Sequence, residues 1–263
     1  MNLRFVPSLL IAAILCGCAS HSAKRPEVAR DVAVPAQGRP GLGTAWAEQR
    51  DSWAEATPFA RASAERPAGR DRLYYNDRAG VDAMLDFLGG KANRTDGLQP
   101  SAGGLVRLGL RVGDGRWADG FEAKGRRFLV GERGERYEIV LKNDARRPIE
   151  VVVSVDGLDV MDGKTASLQK RGYVLAPFET LAVDGFRTSD ATVAAFRFGS
   201  VFDSYGHRRH GDAINAGVIG IAVFEETRRR NAGAQRDPEP PAWRRVGSRP
   251  SPSGHQYATP PDA

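Results

Sequence analysis

Residues able to do chemistry fall in three stretches of this 263-residue chain. Asp156, Asp159 and Asp162 lead into Gly163-Lys164-Thr165, which invites comparison with a phosphate loop or a calcium loop. Neither spacing fits. Five residues separate Gly157 from Gly163 where a phosphate loop has four, and the aspartates lack the alternating ligands and sixth-position glycine of a calcium loop. A phosphate cradle also needs backbone amides at the start of a helix. This segment lies between strand-like runs and reads as turn chemistry. His207 and His210, with Asp203 and Asp212 nearby, form the only cluster that could hold a metal, and the arginines between the two histidines oppose a divalent ion. They read as a solvated loop, and no metal or cofactor is expected. The loop Gly113-Asp114-Gly115-Arg116-Trp117-Ala118-Asp119-Gly120 is where ligand contact is expected. Its glycines let Trp117 project beside Asp114 and Asp119, or fold down as a lid on the core. No Gly-x-Ser-x-Gly elbow or His-Glu-x-x-His pair occurs, so no catalytic residue is assigned. Paired loop carboxylates able to hydrolyse a sugar polymer cannot be seen in sequence and stay open.

The elements that must position these loops are mostly strands. Val106, Leu108, Leu110 and Val112 alternate with Arg107, Gly109 and Arg111, which places one face in a core and the other in water. Tyr137, Ile139 and Leu141 repeat the device, and Asn143 to Pro148 supplies a turn before Ile149, Val151, Val153 and Val155. Further short runs at 127–130, 158–161, 172–175, 180–186, 192–198 and 217–224 bring the total to about nine strands. No strand–helix alternation appears, so a parallel dinucleotide-binding sheet is excluded. The expected class is mainly β: an antiparallel β-sandwich, jelly-roll or immunoglobulin-like, over residues 104–227. One short amphipathic helix from Asp77 to Leu88 and a short strand are expected to pack on it within 71–103. Residues 18–70 read as a flexible tether and residues 228–263 as a disordered basic, proline-rich tail. Trp46 and Trp53 are the two features of the tether that suggest docking on the domain.

Residues 1–17 have the form of a secretory signal: one charge at Arg4, an apolar run from Leu9 to Leu15, then small residues. Leu15-Cys16-Gly17-Cys18 resembles the lipobox of bacterial lipoproteins. The resemblance implies cleavage before Cys18, acylation of Cys18 with palmitate and related chains, and stable membrane anchoring. Ala19, where aspartate would signal retention in the inner membrane, implies the outer membrane with the domain facing the periplasm. The runs Arg171 to Arg187, Val193 to Phe198 and Gly217 to Phe224 resemble a family of uncharacterised proteobacterial envelope proteins over roughly residues 105–226. That resemblance implies a shared β-rich domain and brings no catalytic residues with it.

The net charge of +6 is unevenly spread. Residues 104–227 carry 18 basic and 18 acidic groups, whereas residues 228–263 carry 7 and 3. A nucleic-acid-binding fold would place its basic patch on the domain itself, so nucleic acid is excluded as a partner. The tail suits weak, salt-sensitive contact with an anionic cell-wall polymer or an envelope protein. The expected function is that of a lipid-anchored envelope binding or structural module rather than an enzyme. The alternative is a hydrolase acting on envelope polysaccharide or peptidoglycan through loop carboxylates.

Overall fold

The computed structural model describes residues 39–227, 242–245 and 256–261. Cys18, the signal segment and most of the basic tail lie outside the described residues. In chain order the strands begin with β1 (Leu42–Asp51), β2 (Ala54–Thr57) and β3 (Gly69–Asn76), followed by helix α1 (Arg78–Leu88). Next come β4 (Asn93–Thr95), β5 (Gln99–Ser101), β6 (Val106–Val112), β7 (Arg116–Trp117), β8 (Gly120–Ala123) and β9 (Arg126–Val130). Then follow β10 (Tyr137–Asn143), β11 (Ile149–Val155), β12 (Leu158–Asp159), β13 (Tyr173–Leu175), β14 (Thr180–Val183), β15 (Gly185–Arg187) and β16 (Thr192–Ser200). Helix α2 (Tyr205–His210), β17 (Val218–Glu225) and β18 (Ala242–Arg245) complete the set.

The fold is mainly β, built from three sheets in which nearly all neighbours run antiparallel. A small sheet has the order β1-β16-β15, and a second has β14-β10-β6-β5 with β7 on the side of β6. The large sheet runs β2-β18-β13-β11-β17-β3-β9-β8-β4, with β12 paired to β11. Only the β3–β9 and β13–β18 pairs are parallel. All three sheets feed one core. Leu108, Leu110 and Ile139 come from the second sheet, Leu73, Val153 and Ile221 from the large one, and Phe186, Phe196 and Phe198 from the small one. The alternation on β6 and β10 is realised residue for residue, with Leu110 opposite Ile139 and Leu108 opposite Leu141. Asp156-Gly157 turns β11 into β12 with φ of 53° and 81°, a geometry that asparagine, aspartate and glycine tolerate best. The single-helix expectation meets α1, whose N-cap Asp77 accepts a hydrogen bond from the Gly80 amide and whose end is closed by Gly89.

Three sequence expectations need correction. The tether does not extend to residue 70, because β1 and β2 lie inside it and β3 starts within it. Its backbone groups are satisfied by pairing, with β1 running along β16 from Leu42↔Ser200 to Asp51↔Thr192. Trp46 docks on Phe186 and Tyr205, at ring separations of 6.4 and 4.9 Å. The tail is not wholly apart from the fold either. β18 inserts between β2 and β13, and Ala258 is buried. Residues 205–210, read as loop, form helix α2, capped by the Ser204 hydroxyl and closed by Gly211 in the left-handed region.

β11 and β17 are buried on both faces. Their outer face carries Val152, Phe224 and Glu150, covered by the segment around Phe59 and Arg61. Glu150 is fully buried. Its Oε2 accepts from Arg61 Nε at 2.8 Å, and its Oε1 accepts from Arg171 Nε at 2.9 Å and the Gly172 amide at 2.7 Å. The Arg61 guanidinium lies 3.6 Å from the centre of the Phe224 ring and donates further to the carbonyls of Leu168 and Lys170. Removing the shared carboxylate strands two buried cations, a situation that costs about 3–5 kcal/mol. Glu150→Ala is therefore expected to lower unfolding stability in urea by that order. Arg94→Ala, which breaks an exposed pair with Asp119 at 2.8 Å, should change it by less than about 1 kcal/mol. Equal effects from the two variants would contradict this account.

Candidate functional site

A shallow concavity with a volume of about 30 Å³ opens at the seam between the small sheet and the second sheet. Val112, Tyr137, Ala195 and Phe196 line it, and all four are buried. Around them stand the guanidinium-bearing Arg50 of β1, Arg111 of β6 and Arg136, together with Glu138 of β10 and Asp184. Gly113 and Gly115 complete one wall. Alternation explains the composition. On β10, Tyr137 faces the core and Glu138 the outside, and the same step on β6 turns Arg111 outward beside buried Val112.

The charges at the seam are incompletely matched. Arg136 lies 3.5 Å from Glu48, whereas Arg50 and Glu138 have no ion-pair partner among the described residues. Asp184 is buried and accepts from the Ser52 hydroxyl at 3.1 Å. The Arg111 guanidinium sits 5.0 Å over the Trp117 ring. The site thus offers guanidinium forks for a carboxylate, a carboxylate for a cation, and an apolar floor.

Beneath the floor, Tyr137 enters a chain of buried hydroxyls. Tyr137 OH and Thr44 Oγ1 are 2.5 Å apart, and Thr44 Oγ1 and Tyr75 OH 2.7 Å apart. The Tyr75 hydroxyl donates to Asp156 Oδ1 at 2.6 Å. Because each hydroxyl has one proton and the Tyr75 proton goes to Asp156, donation runs from Tyr137 to Thr44 to Tyr75 to Asp156. Asp156 also accepts from the amides of Thr44 at 2.6 Å and Gly217 at 2.9 Å. Burial pushes its carboxyl up to about 6 in spite of these donors, and burial likewise raises both tyrosines.

The residues singled out from sequence do not converge. Trp117 is half-buried and lies over the outer face of β6. A Cβ at Gly109 would come within 3.2 Å of the Trp117 ring and 2.6 Å of the Gly97 carbonyl, so only glycine admits this lid. Asp119 pairs with Arg94, and Asp114 faces the Arg116 amide within its own turn. The turn still matters, since its Gly113 and Gly115 wall the seam. His207 stacks near Phe202, with ring centres 5.0 Å apart, while His210 Nε2 meets the Gly163 carbonyl at 2.9 Å. The two imidazoles are held by different partners, and no group of three metal-ligating side chains occurs among the described residues. Asp82 and Asp86 border an open concavity beside α1, where Arg78 pairs with Asp82 at 3.2 Å; they belong to the solvated face of the helix.

Sequence reasoning missed Arg50, which it placed in the tether, and Arg136, Glu138 and Asp184, which are ordinary outward or turn residues until two sheets meet. It also missed the state of Asp159. This carboxyl is buried, its Oδ1 accepts from the amides of Met161 and Asp162, and its Oδ2 has no partner. Burial, reinforced by the neighbouring Asp162 charge, pushes it up to about 7. Comparison with protein-family models, curated proteins and solved structures returned no match to this chain.

The pH consequence follows from linkage. An aspartate near 3.9 in the unfolded chain and near 7 when folded makes the native state bind the extra proton between those values. Its contribution therefore favours folding below about pH 4 and is lost as pH rises through 7. Asp159→Asn keeps the amide-accepting oxygen and removes the ionisation. Between pH 5 and 8 the wild type should lose stability relative to this variant by about 2.5 kcal/mol. Parallel stability curves for the two proteins over that range would overturn the assignment.

Proposed function

We propose that the protein is a lipid-anchored binding module of the bacterial cell envelope, whose domain takes a small ligand carrying both a carboxylate and a cationic group. The anchoring half of this reading is supported by the lipobox-like Leu15-Cys16-Gly17-Cys18. The binding half is carried by one observation: Arg50 and Glu138, which have no ion-pair partner among the described residues, face the same apolar-floored concavity. Opposite charges facing a shallow concavity of about 30 Å³ match a zwitterion that rests its charged ends on the rim rather than entering an enclosed cavity. Short peptides of this kind are available in an envelope that holds a peptide-crosslinked wall.

A dipeptide offers roughly ten non-hydrogen atoms, and at ordinary ligand efficiency its dissociation constant falls on the order of 1 mM. Calorimetric titration of the full chain with alanyl-alanine, in L,L and D,D forms, should show such binding for at least one isomer. Arg50→Ala should weaken it at least tenfold while leaving the thermal midpoint within a few degrees, since the Arg50 side chain has no ion-pair partner among the described residues. An unchanged affinity in that variant would remove the seam from consideration. The anchor is tested separately: Cys18→Ser should abolish palmitate labelling and move the protein from the membrane to the soluble fraction, and labelling that persists would refute it.

A further inference from the structure

Away from the seam, residues 256–261 lie on a seat formed by four distant parts of the chain. The Ala258 amide donates to the Arg187 carbonyl at 2.9 Å, and the Thr259 carbonyl accepts from the Tyr205 hydroxyl at 2.8 Å. Ala258 is 4% exposed and faces Gly163, where a Cβ would lie 2.9 Å from that of Ala258 and 2.6 Å from the Tyr205 hydroxyl. The Tyr257 ring sits 5.9 Å from Trp243, and its hydroxyl donates to Asp190. Lys164 Nζ donates to the Gln256 side chain at 2.6 Å. Pro260 and Pro261 follow and favour the extended backbone by fixing φ.

These contacts have the form of peptide recognition. Backbone bonds set the register, a slot beside an indole takes an aromatic side chain, and a socket closed by glycine admits only a small one. We propose that the seat is a peptide-binding site for extended segments of the pattern Tyr-Ala-x-Pro-Pro on a partner protein, and that the chain's own C-terminus occupies it in cis. It shares no residue with the seam and is independent of the ligand proposed there. The cis segment is held shallowly: Gln256, Thr259 and Pro260 are exposed and only Ala258 is fully buried. Segments with so little buried surface open at low free-energy cost. Residues 246–255 join it to β18, a reach of at most ~35 Å, so it competes with any incoming peptide at millimolar effective concentration.

The test titrates the synthetic hexapeptide Gln-Tyr-Ala-Thr-Pro-Pro into full-length protein and follows tryptophan fluorescence, which Trp243 contributes beside the tyrosine slot. Ala258→Arg cannot enter the Gly163 socket and evicts the cis segment, so this variant should bind the peptide at least tenfold more tightly than wild type. Tyr257→Ala loosens the same segment without steric load and should give a smaller gain in the same direction, which keeps the test available if Ala258→Arg does not fold. Adding Tyr205→Phe to either variant retains the ring, removes one donor and should weaken binding several-fold. Equal affinity in wild type and both opened variants, or equal binding of a scrambled hexapeptide, would overturn the proposal.

Discussion

A carboxylate buried where sheets meet must find donors, and Asp156 draws them directly from the small and the large sheet and, through a relay of hydroxyls, is linked to the second. Its partners come from β1 through the Thr44 amide, from β3 through Tyr75, and from the start of β17 through Gly217. Through Thr44 the chain of hydroxyls continues to Tyr137 on β10. Each strand belongs to a sheet that could otherwise slide against its neighbour on an apolar surface, which is non-directional. A half-satisfied network would be worse than an apolar core, whereas this one is complete at every hydroxyl and so fixes one arrangement. Burial raises the Asp156 carboxyl to about 6, because its donors offset the desolvation only in part.

The position of the seam follows from that arrangement. Tyr137 anchors β10 inward, which turns Glu138 out, and Thr44 anchors β1 so that Arg50 arrives six residues further along the same strand. Phe196 and Phe198 stack on Tyr137 at 5.2 and 4.4 Å and fill the space behind the floor. The aromatic packing therefore leaves room only at the outer rim, where the charged residues stand. Elsewhere, the guanidinium groups taken into the interior are matched. Arg187 is entirely buried and spends its guanidinium on the hydroxyls of Tyr173 and Ser52 and the carbonyls of Ser52, Ser189 and Asp190. Arg61 and Arg171 share Glu150. Arg50 and Glu138, at the half-buried rim, have no ion-pair partner among the described residues, and they face the same opening.

How much of this could be read from sequence depends on what carried each element. β6, β10, β11 and β17 are written in large aliphatic residues at a period of two, and α1 in Val81, Met84, Leu85 and Leu88 with Asp77 before and Gly89 after; these were legible. β1 is held by backbone pairing and by small side chains such as Gly43, Thr44 and Ala45, which leave no hydrophobic pattern. β18 and residues 256–261 are anchored by single aromatics and one alanine in a proline-rich stretch, a composition that reads as coil. The Gly113–Trp117 turn was recognisable as a turn because of its glycines, two of which border the seam. The groups facing it were not, since Arg50 and Asp184 are far from it in sequence and become neighbours only when two sheets close. Burial of Arg61 against Glu150, 89 residues apart, is invisible for the same reason.

The account depends on the seam being where a ligand sits. Its most direct measurement is a map of backbone amide shifts in the isotope-labelled full chain on titration with alanyl-alanine. The account predicts shifts confined to Arg50, Arg111 to Gly115, Arg136 to Glu138, Asp184 and Ala195–Phe196. Saturable shifts centred on another surface, or none at these positions when the peptide is present in large excess over 1 mM, would contradict it.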